Sequence, residues 1–157
     1  MEFKIRRVIQ FGGADYLVCD KETNAEIIKI AITNLTGAIL VNSITTPRSK
    51  NYNELFLAKH KVSLERALLL AVVRDYGSSV LGFRVNTNFI KDPLARSTLE
   101  TALKSIDANQ RSEGIFRVAA KTVRALKTEF KASPLSPKSA LQNAYERIRN
   151  RFKEKPK

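Results

Sequence analysis

Over the first 46 residues, β-branched and aromatic side chains fall in four short runs, Glu2 to Phe11, Asp15 to Cys19, Ala25 to Thr33 and Gly37 to Ile44. The breaks between them are Gly12-Gly13, Asp20 to Asn24 and Thr33 to Thr36, all rich in residues that favour turns. Short apolar runs separated by turn chemistry predict strands, here four in an antiparallel meander.

After this the period of the pattern changes. Residues 46 to 57 are polar, with Pro47, Arg48, Ser49, Lys50 and Asn51 together, and predict an exposed loop. Ala58 to Tyr76 predicts one helix, buried on most sides because Ala67 to Val73 are consecutively apolar, with Gly77 as its C′ residue. Ser79 to Val85 predicts a further strand. Asp92-Pro93 is an N-cap followed by proline at the first helical position, and Ala95, Leu99, Ala102 and Ile106 mark one face of a helix running to about Ala108. Phe116, Ala119, Val123, Leu126 and Phe130 predict the next helix. Ser136-Pro137 opens a last one, with Leu141, Tyr145, Ile148 and Phe152 on its apolar face.

Four strands, a buried helix, a strand and three helices predict an α/β fold in which a mixed β-sheet is flanked by helices. At 157 residues one domain is expected, with the sheet and buried helix in 1–90 and a helical, basic region in 91–157.

Composition adds a partner class. Lys and Arg number 28 against 15 Asp and Glu, a formal charge of +13; solubility alone asks for a net charge of about 2 to 8 in a small domain. Residues 111–157 carry 13 basic and 4 acidic side chains and so hold +9 of that excess. A polyanion is therefore the expected partner. One cysteine, Cys19, rules out an intrachain disulfide and any site built from several thiolates of one chain. The apolar run Ala67 to Val73 is far shorter than the roughly 20 residues of a membrane-spanning helix, so no membrane association is expected. Met1 to Arg7 lacks an apolar signal core, and synthesis in the cytoplasm is expected.

The candidate DNA-binding residues lie in two groups. Arg117, Lys121, Arg124 and Lys131 form a stripe beside the apolar face of the Phe116–Phe130 helix, with Lys127 next to it and Glu129 the sole acid of that stretch. Arg147, Arg149, Arg151 and Lys153, followed by Lys155 and Lys157, form a basic arm. The first group could be a solvated helix face, but the usual alternation of sign is missing; the second could be a frayed terminus, but six basic residues stand against only Glu146 and Glu154. Phe116, Phe130, Tyr145 and Phe152 fall at core or interface spacing rather than as base-stacking platforms, which favours backbone contact with duplex DNA over stacking on a single strand. Asp15 reads either as a metal ligand or as a turn carboxylate after two glycines, and His60 as a surface histidine near a helix start.

The order of these elements resembles the PD-(D/E)xK nuclease core, in particular the CRISPR-associated RecB-like exonuclease family. The residues that carry the resemblance are Gly12-Gly13-Ala14-Asp15, the strand Glu26 to Ile32, the helix from His60-Lys61-Val62-Ser63-Leu64 to Arg74-Asp75-Tyr76-Gly77, and Ser78 to Arg84. In that family an Asp, and a Glu two residues before a Lys on the next strand, hold a divalent metal, and a Gln with a Tyr four residues later sits on the following helix. Here Asp15 alone matches. Lys29 stands at the Glu position, Ala31 at the Lys, Ser63 at the Gln and Ala67 at the Tyr, while Glu26 and Lys29 have a spacing that predicts opposite faces of a strand. The C-terminal cysteines of the family are absent from Leu141 to Arg151. A cation cannot ligate Mg²⁺ or Mn²⁺, which take oxygen donors.

The resemblance thus implies an inactivated nuclease with no metal cofactor, Asp15 being a remnant. A degenerate relative of the family is similar to the nucleocapsid proteins of filamentous archaeal viruses. That likeness implies a virion protein that binds DNA without sequence specificity and self-associates to coat viral genomic DNA. An active exonuclease using Asp15 and Glu26 with Mg²⁺ or Mn²⁺, or a cellular nucleic-acid-binding adaptor, are the alternative expectations. Phosphate attraction leaves RNA open as well.

Overall fold

The computed structural model describes residues 2–35, 38–45, 50–133 and 135. Strands β1 (Phe3–Gln10), β2 (Gly13–Asp20), β3 (Glu26–Leu35) and β4 (Ala38–Thr45) form the antiparallel meander. The chain continues through helices α1 (Lys50–His60) and α2 (Leu64–Tyr76) to β5 (Phe83–Asn86), which pairs parallel with β4. Helix α3 (Pro93–Ser105), the hairpin β6 (Asn109–Ser112) and β7 (Ile115–Val118), and helix α4 (Ala120–Ala132) follow. The fold is α/β, and the described residues form one mixed seven-stranded sheet in the order β1-β2-β3-β4-β5-β7-β6 with four helices beside it.

Alternation along the strands fixes which face is covered. Ala14, Tyr16 and Val18 of β2 and Ile28, Ile30 and Ile32 of β3 are buried under α2. Leu68, Ala71, Val72 and Val73 of that helix are all within 1 % of full burial. The other helices pack on α2, so the helical layer gathers on one face. No helix among the described residues is long and apolar enough to cross a membrane.

Several elements differ from the sequence expectation. Residues 50–57 are helix rather than loop, because Tyr52, Phe56 and His60 recur every fourth residue and Phe56 is fully buried 5.0 Å from the Phe3 ring. The expected single helix over 58–76 is broken at Lys61, whose φ is 61°, and restarts at Ser63, whose hydroxyl accepts from the Arg66 amide. Gly77 is extended, with φ −71° and ψ 135°; its value is space, since an added Cβ would sit 2.6 Å from the Val73 carbonyl oxygen. Residues 78–82 are a turn instead of strand, the Ser78 hydroxyl accepting from the Val80 and Leu81 amides. Helix α3 stops at Ser105, and Asp107 takes a φ of 61°.

The largest correction is at 109–118, which adds two strands to the sheet from a region expected to be helical. Gly114, at φ 70°, makes the hairpin turn, and Phe116 and Val118 reach the core from a strand. The last helix, predicted from Ser136-Pro137, lies outside the described residues, as do Pro47, Arg48 and Ser49 of the predicted loop.

Gly12 and Gly13 have separate structural reasons. Gly12 turns the β1–β2 hairpin at φ 76°, with nothing near an added Cβ. A Cβ on Gly13 would overlap the carbonyl oxygen of Ile32 on the neighbouring strand, where backbone cannot yield cheaply. Gly13→Ala should therefore cost about 1–3 kcal/mol by overpacking, against about 1 kcal/mol for Gly12→Ala from its left-handed backbone. Urea denaturation of both variants checks this, and equal midpoints would show that β3 gives way.

Candidate nucleic-acid interface

Cross-strand register aligns the face of the sheet opposite the helices in rows. Arg6, Leu17, Lys29 and Thr45 form one, and Val8, Asp15, Ala31 and Ser43 the next. Asp15 thus lies directly opposite Ala31, with Lys29 one row away on the same face. The two positions at which the resemblance expects an acid and a lysine thus share the face of Asp15, and they are held by a cation, Lys29, and an alanine, Ala31.

Glu26 does not replace them. A β-bulge between Val18 and Cys19 adds Ile27 to β3, so Glu26 pairs with Cys19 and returns to the face of Lys29, contrary to the parity expected from their spacing. Cys19 lies four residues along β2 from Asp15, about 13 Å at the rise of a strand. One ion with oxygen ligands at about 2 Å cannot bind both carboxylates. Among the described residues no three of His, Cys, Asp or Glu gather to hold a metal. The donor set does not fit the divalent ion that the resemblance implies. Asp15 instead accepts a 3.3 Å hydrogen bond from the Gln10 amide across the hairpin.

The other motif positions have local duties. Ser63 caps α2 and Ala67 is 2 % exposed in the core. Cys19 is fully buried, and burial pushes its thiol above the usual range, in keeping with an inert strand residue. His60, expected at the surface near a helix start, lies at the end of α1 with its ring 4.7 Å from Phe56 and 5.9 Å from Phe3. Burial, then the neighbouring Lys59 charge, lowers its pKa.

The predicted basic stripe is divided by the fold. Arg117 is on β7, not on the helix, and pairs across the sheet with Arg84. Lys121, Arg124, Lys127 and Lys131 remain together on α4, whose Val123, Leu126 and Phe130 are buried. At 3.6 residues per turn, Arg124, Lys127 and Lys131 fall within an arc of about 60°, with Lys121 a further 60° round. Glu129 points elsewhere: both its oxygens accept from Arg66 of α2, at 2.6 and 3.3 Å. Arg124 donates to the Ser79 carbonyl at 2.8 Å. None of the four cations forms an ion pair among the described residues. Arg147, Arg149, Arg151 and Lys153 lie outside the described residues.

A cluster that the sequence did not signal joins the sheet to the end of α2. Asp75 accepts from the Tyr16 hydroxyl at 2.6 Å and from Arg74 Nε and Nη2, each at 2.8 Å, with Arg7 Nε 3.4 Å away. Arg7 also donates to the Tyr76 hydroxyl at 3.0 Å. Burial alone would push the Asp75 carboxyl up, but the hydrogen bonds from Arg74 and Tyr16 and the charges of Arg74 and Arg7 outweigh it and hold the carboxyl below its ordinary range. Burial, then the bond to Asp75, pushes the Tyr16 hydroxyl well above its ordinary range. With three hydrogen bonds on its carboxylate and Arg7 beside it, Asp75 ties the sheet to the end of α2.

Comparison with protein-family models, curated proteins and solved structures returns no match, which leaves the geometry of these residues as the ground for a functional reading.

Proposed function

We propose that this chain is a catalytically inactive protein of nuclease-like fold that binds DNA through Lys and Arg contacts to phosphates, without sequence specificity. We further propose that it coats a viral genome as a nucleocapsid protein of the virion. The observation that carries the DNA reading is the flank of α4, where Lys121, Arg124 and Lys131 are exposed, half-buried Lys127 stands beside them and Glu129 is turned away to Arg66. Neutralising phosphates releases condensed counterions, which is the main drive for sequence-independent binding. Phe116 and Phe130 are 0 % and 2 % exposed, so neither can stack on a base, and duplex backbone contact is the mode these residues favour.

Coating also requires contact between copies. Val123, Leu126 and Phe130 on the apolar stripe of α4 are buried in the core and so are not open to a second copy. Large exposed apolar side chains occur instead at strand ends, with Ile9 and Phe11 at the β1–β2 tip, Leu35 at the end of β3, and Val80 and Leu81 in the turn before β5. Such side chains, where copies bring them together, could bury against one another; Phe11, fully exposed at its hairpin tip, is the first to test by substitution.

Electron microscopy of the protein with linear duplex DNA tests the reading: continuous filaments are expected, whereas discrete particles would indicate an adaptor. The inactive assignment is tested by incubating labelled linear DNA with Mn²⁺ and either the parent or Asp15→Ala. The DNA should remain intact with both. Cleavage by the parent that Asp15→Ala abolishes would restore the nuclease.

A further inference from the structure

We infer that a cavity at the parallel seam between β4 and β5 is a seat for one phosphate of a bound nucleic-acid strand, gripped by Arg84 and Arg117. The inference rests on the DNA-binding reading and adds to it a specific contact on the sheet, away from the face of α4.

The cavity has a volume of about 320 Å³ and lies where β4 and β5 begin. Arg84 and Arg117, direct partners on β5 and β7, both line it, together with Asn34, Tyr76, Ser78 and Leu81. Opposed residues of an antiparallel pair hold their Cβ atoms about 5 Å apart, and like charges so placed repel. Neither guanidinium has a carboxylate partner among the described residues. A pair of permanent cations set face to face, with hydrogen-bonding side chains beside them, is relieved by an anion that accepts from both. The planar fork of arginine matches phosphate oxygens in two-point contact.

The occupant that fits best is a backbone phosphate rather than a free nucleotide. The aromatic side chains at the cavity are already engaged: Arg7 lies over the Tyr76 ring at 5.3 Å, and Phe83 is 4 % exposed in the core. A base would find no open ring to stack on. A strand, in contrast, finds a continuation. The turn that walls the cavity, residues 78–82, is tied through the Ser79 carbonyl to Arg124 on the basic flank of α4. A chain of phosphates held along α4 can pass this turn and place one group between Arg84 and Arg117.

The test measures the affinity of labelled duplex DNA across a range of KCl concentrations, for the parent, Arg84→Gln/Arg117→Gln, Arg84→Lys/Arg117→Lys, and a control, Lys91→Gln/Lys104→Gln, which removes two exposed charges elsewhere. Loss of the arginine pair should reduce the slope of log affinity against log salt by about 1 to 2. The lysine pair should keep the slope but bind more weakly, because the fork is lost while the charge remains. Since the arginines repel each other, the glutamine variant should melt no lower than the parent, so weaker binding would not reflect unfolding.

If the glutamine pair behaves like the control while the parent shows a steep slope, the seat is overturned and the DNA reading stands. If the parent binds DNA without salt dependence, the DNA reading fails. In that event, stabilisation of the parent but not the glutamine pair by thymidine monophosphate would overturn the strand as occupant in favour of a free phosphorylated ligand.

Discussion

Neutralising the basic flank of α4, as Lys121→Gln/Arg124→Gln/Lys127→Gln/Lys131→Gln, should lower affinity for duplex DNA about a thousandfold near physiological salt and reduce the log-log salt slope by about 3.6. Each phosphate neutralised contributes about 0.9 to that slope, and four such contacts at about 0.15 M salt multiply to roughly three powers of ten. The substitutions spare what holds the helix. Val123, Leu126 and Phe130 keep their burial, the Arg66–Glu129 pair is untouched, and glutamine has a helix propensity close to that of lysine and arginine. The bond from Arg124 to Ser79 is lost, at a cost of about 1 kcal/mol. Fluorescence anisotropy gives the affinity, and a thermal melt by circular dichroism shows that the fold survives. An affinity within a factor of about three of the parent, at a retained slope, would move the phosphate contacts off α4 altogether.

The meander was legible because its β-branched and aromatic residues fall in short runs between turn-rich breaks. Helix α3 was legible because Asp92-Pro93 states its start and Leu99 and Ala102 its face. Three features escaped for physical reasons. Helix α1 is mostly polar, and its three anchors, Tyr52, Phe56 and His60, are too sparse to outweigh a proline-containing approach. The β6–β7 hairpin was hidden because every residue of β6 is exposed, which removes alternation, and because Phe116 and Ala119 happen to extend the helical spacing of Val123, Leu126 and Phe130. The bulge at Ile27 reverses strand parity, and parity was the ground for separating Glu26 from Lys29.

For the candidate site the outcome is similarly divided. That Lys29 and Ala31 are the β3 residues beside Asp15 was readable from the aligned strands, and the register places both on its face. That Arg117 would leave the α4 stripe for the sheet was not readable, since it depends on the strand that the spacing concealed. Arg84, its partner, carried no sequence signal, because a single arginine in a short strand reads as surface.

Asp75→Ala should destabilise the protein by about 3 kcal/mol, a fall in Tm of about 6–12 °C for a chain of this size. The loss has two parts. The Tyr16 side chain is fully buried and would keep a hydroxyl with no acceptor, while Arg74 and Arg7 would lose the carboxylate they share, which is itself 15 % exposed. Tyr16→Phe alone removes the donor and leaves Asp75 with Arg74 and Arg7, so it should cost only about 1 kcal/mol. The double variant should then cost less than the sum of the two, because phenylalanine leaves no orphaned hydroxyl behind.

The pH dependence separates this cluster from the rest of the molecule. The Asp75 carboxyl is held below its unfolded value of 3.8, so its contribution is complete above that pH and is lost as pH falls through the lower folded value. His60 acts earlier: its folded pKa lies below the unfolded 6.5, so stability starts to fall as pH drops below that value and the unfolded chain takes up the proton first. Chemical denaturation at a series of pH values should therefore show the stability gap between the parent and Asp75→Asn constant from neutrality to about pH 5, and closing only in stronger acid. A gap that already closed near pH 6 would mean that Asp75 does not hold the end of α2 to Tyr16 as an ionised acceptor.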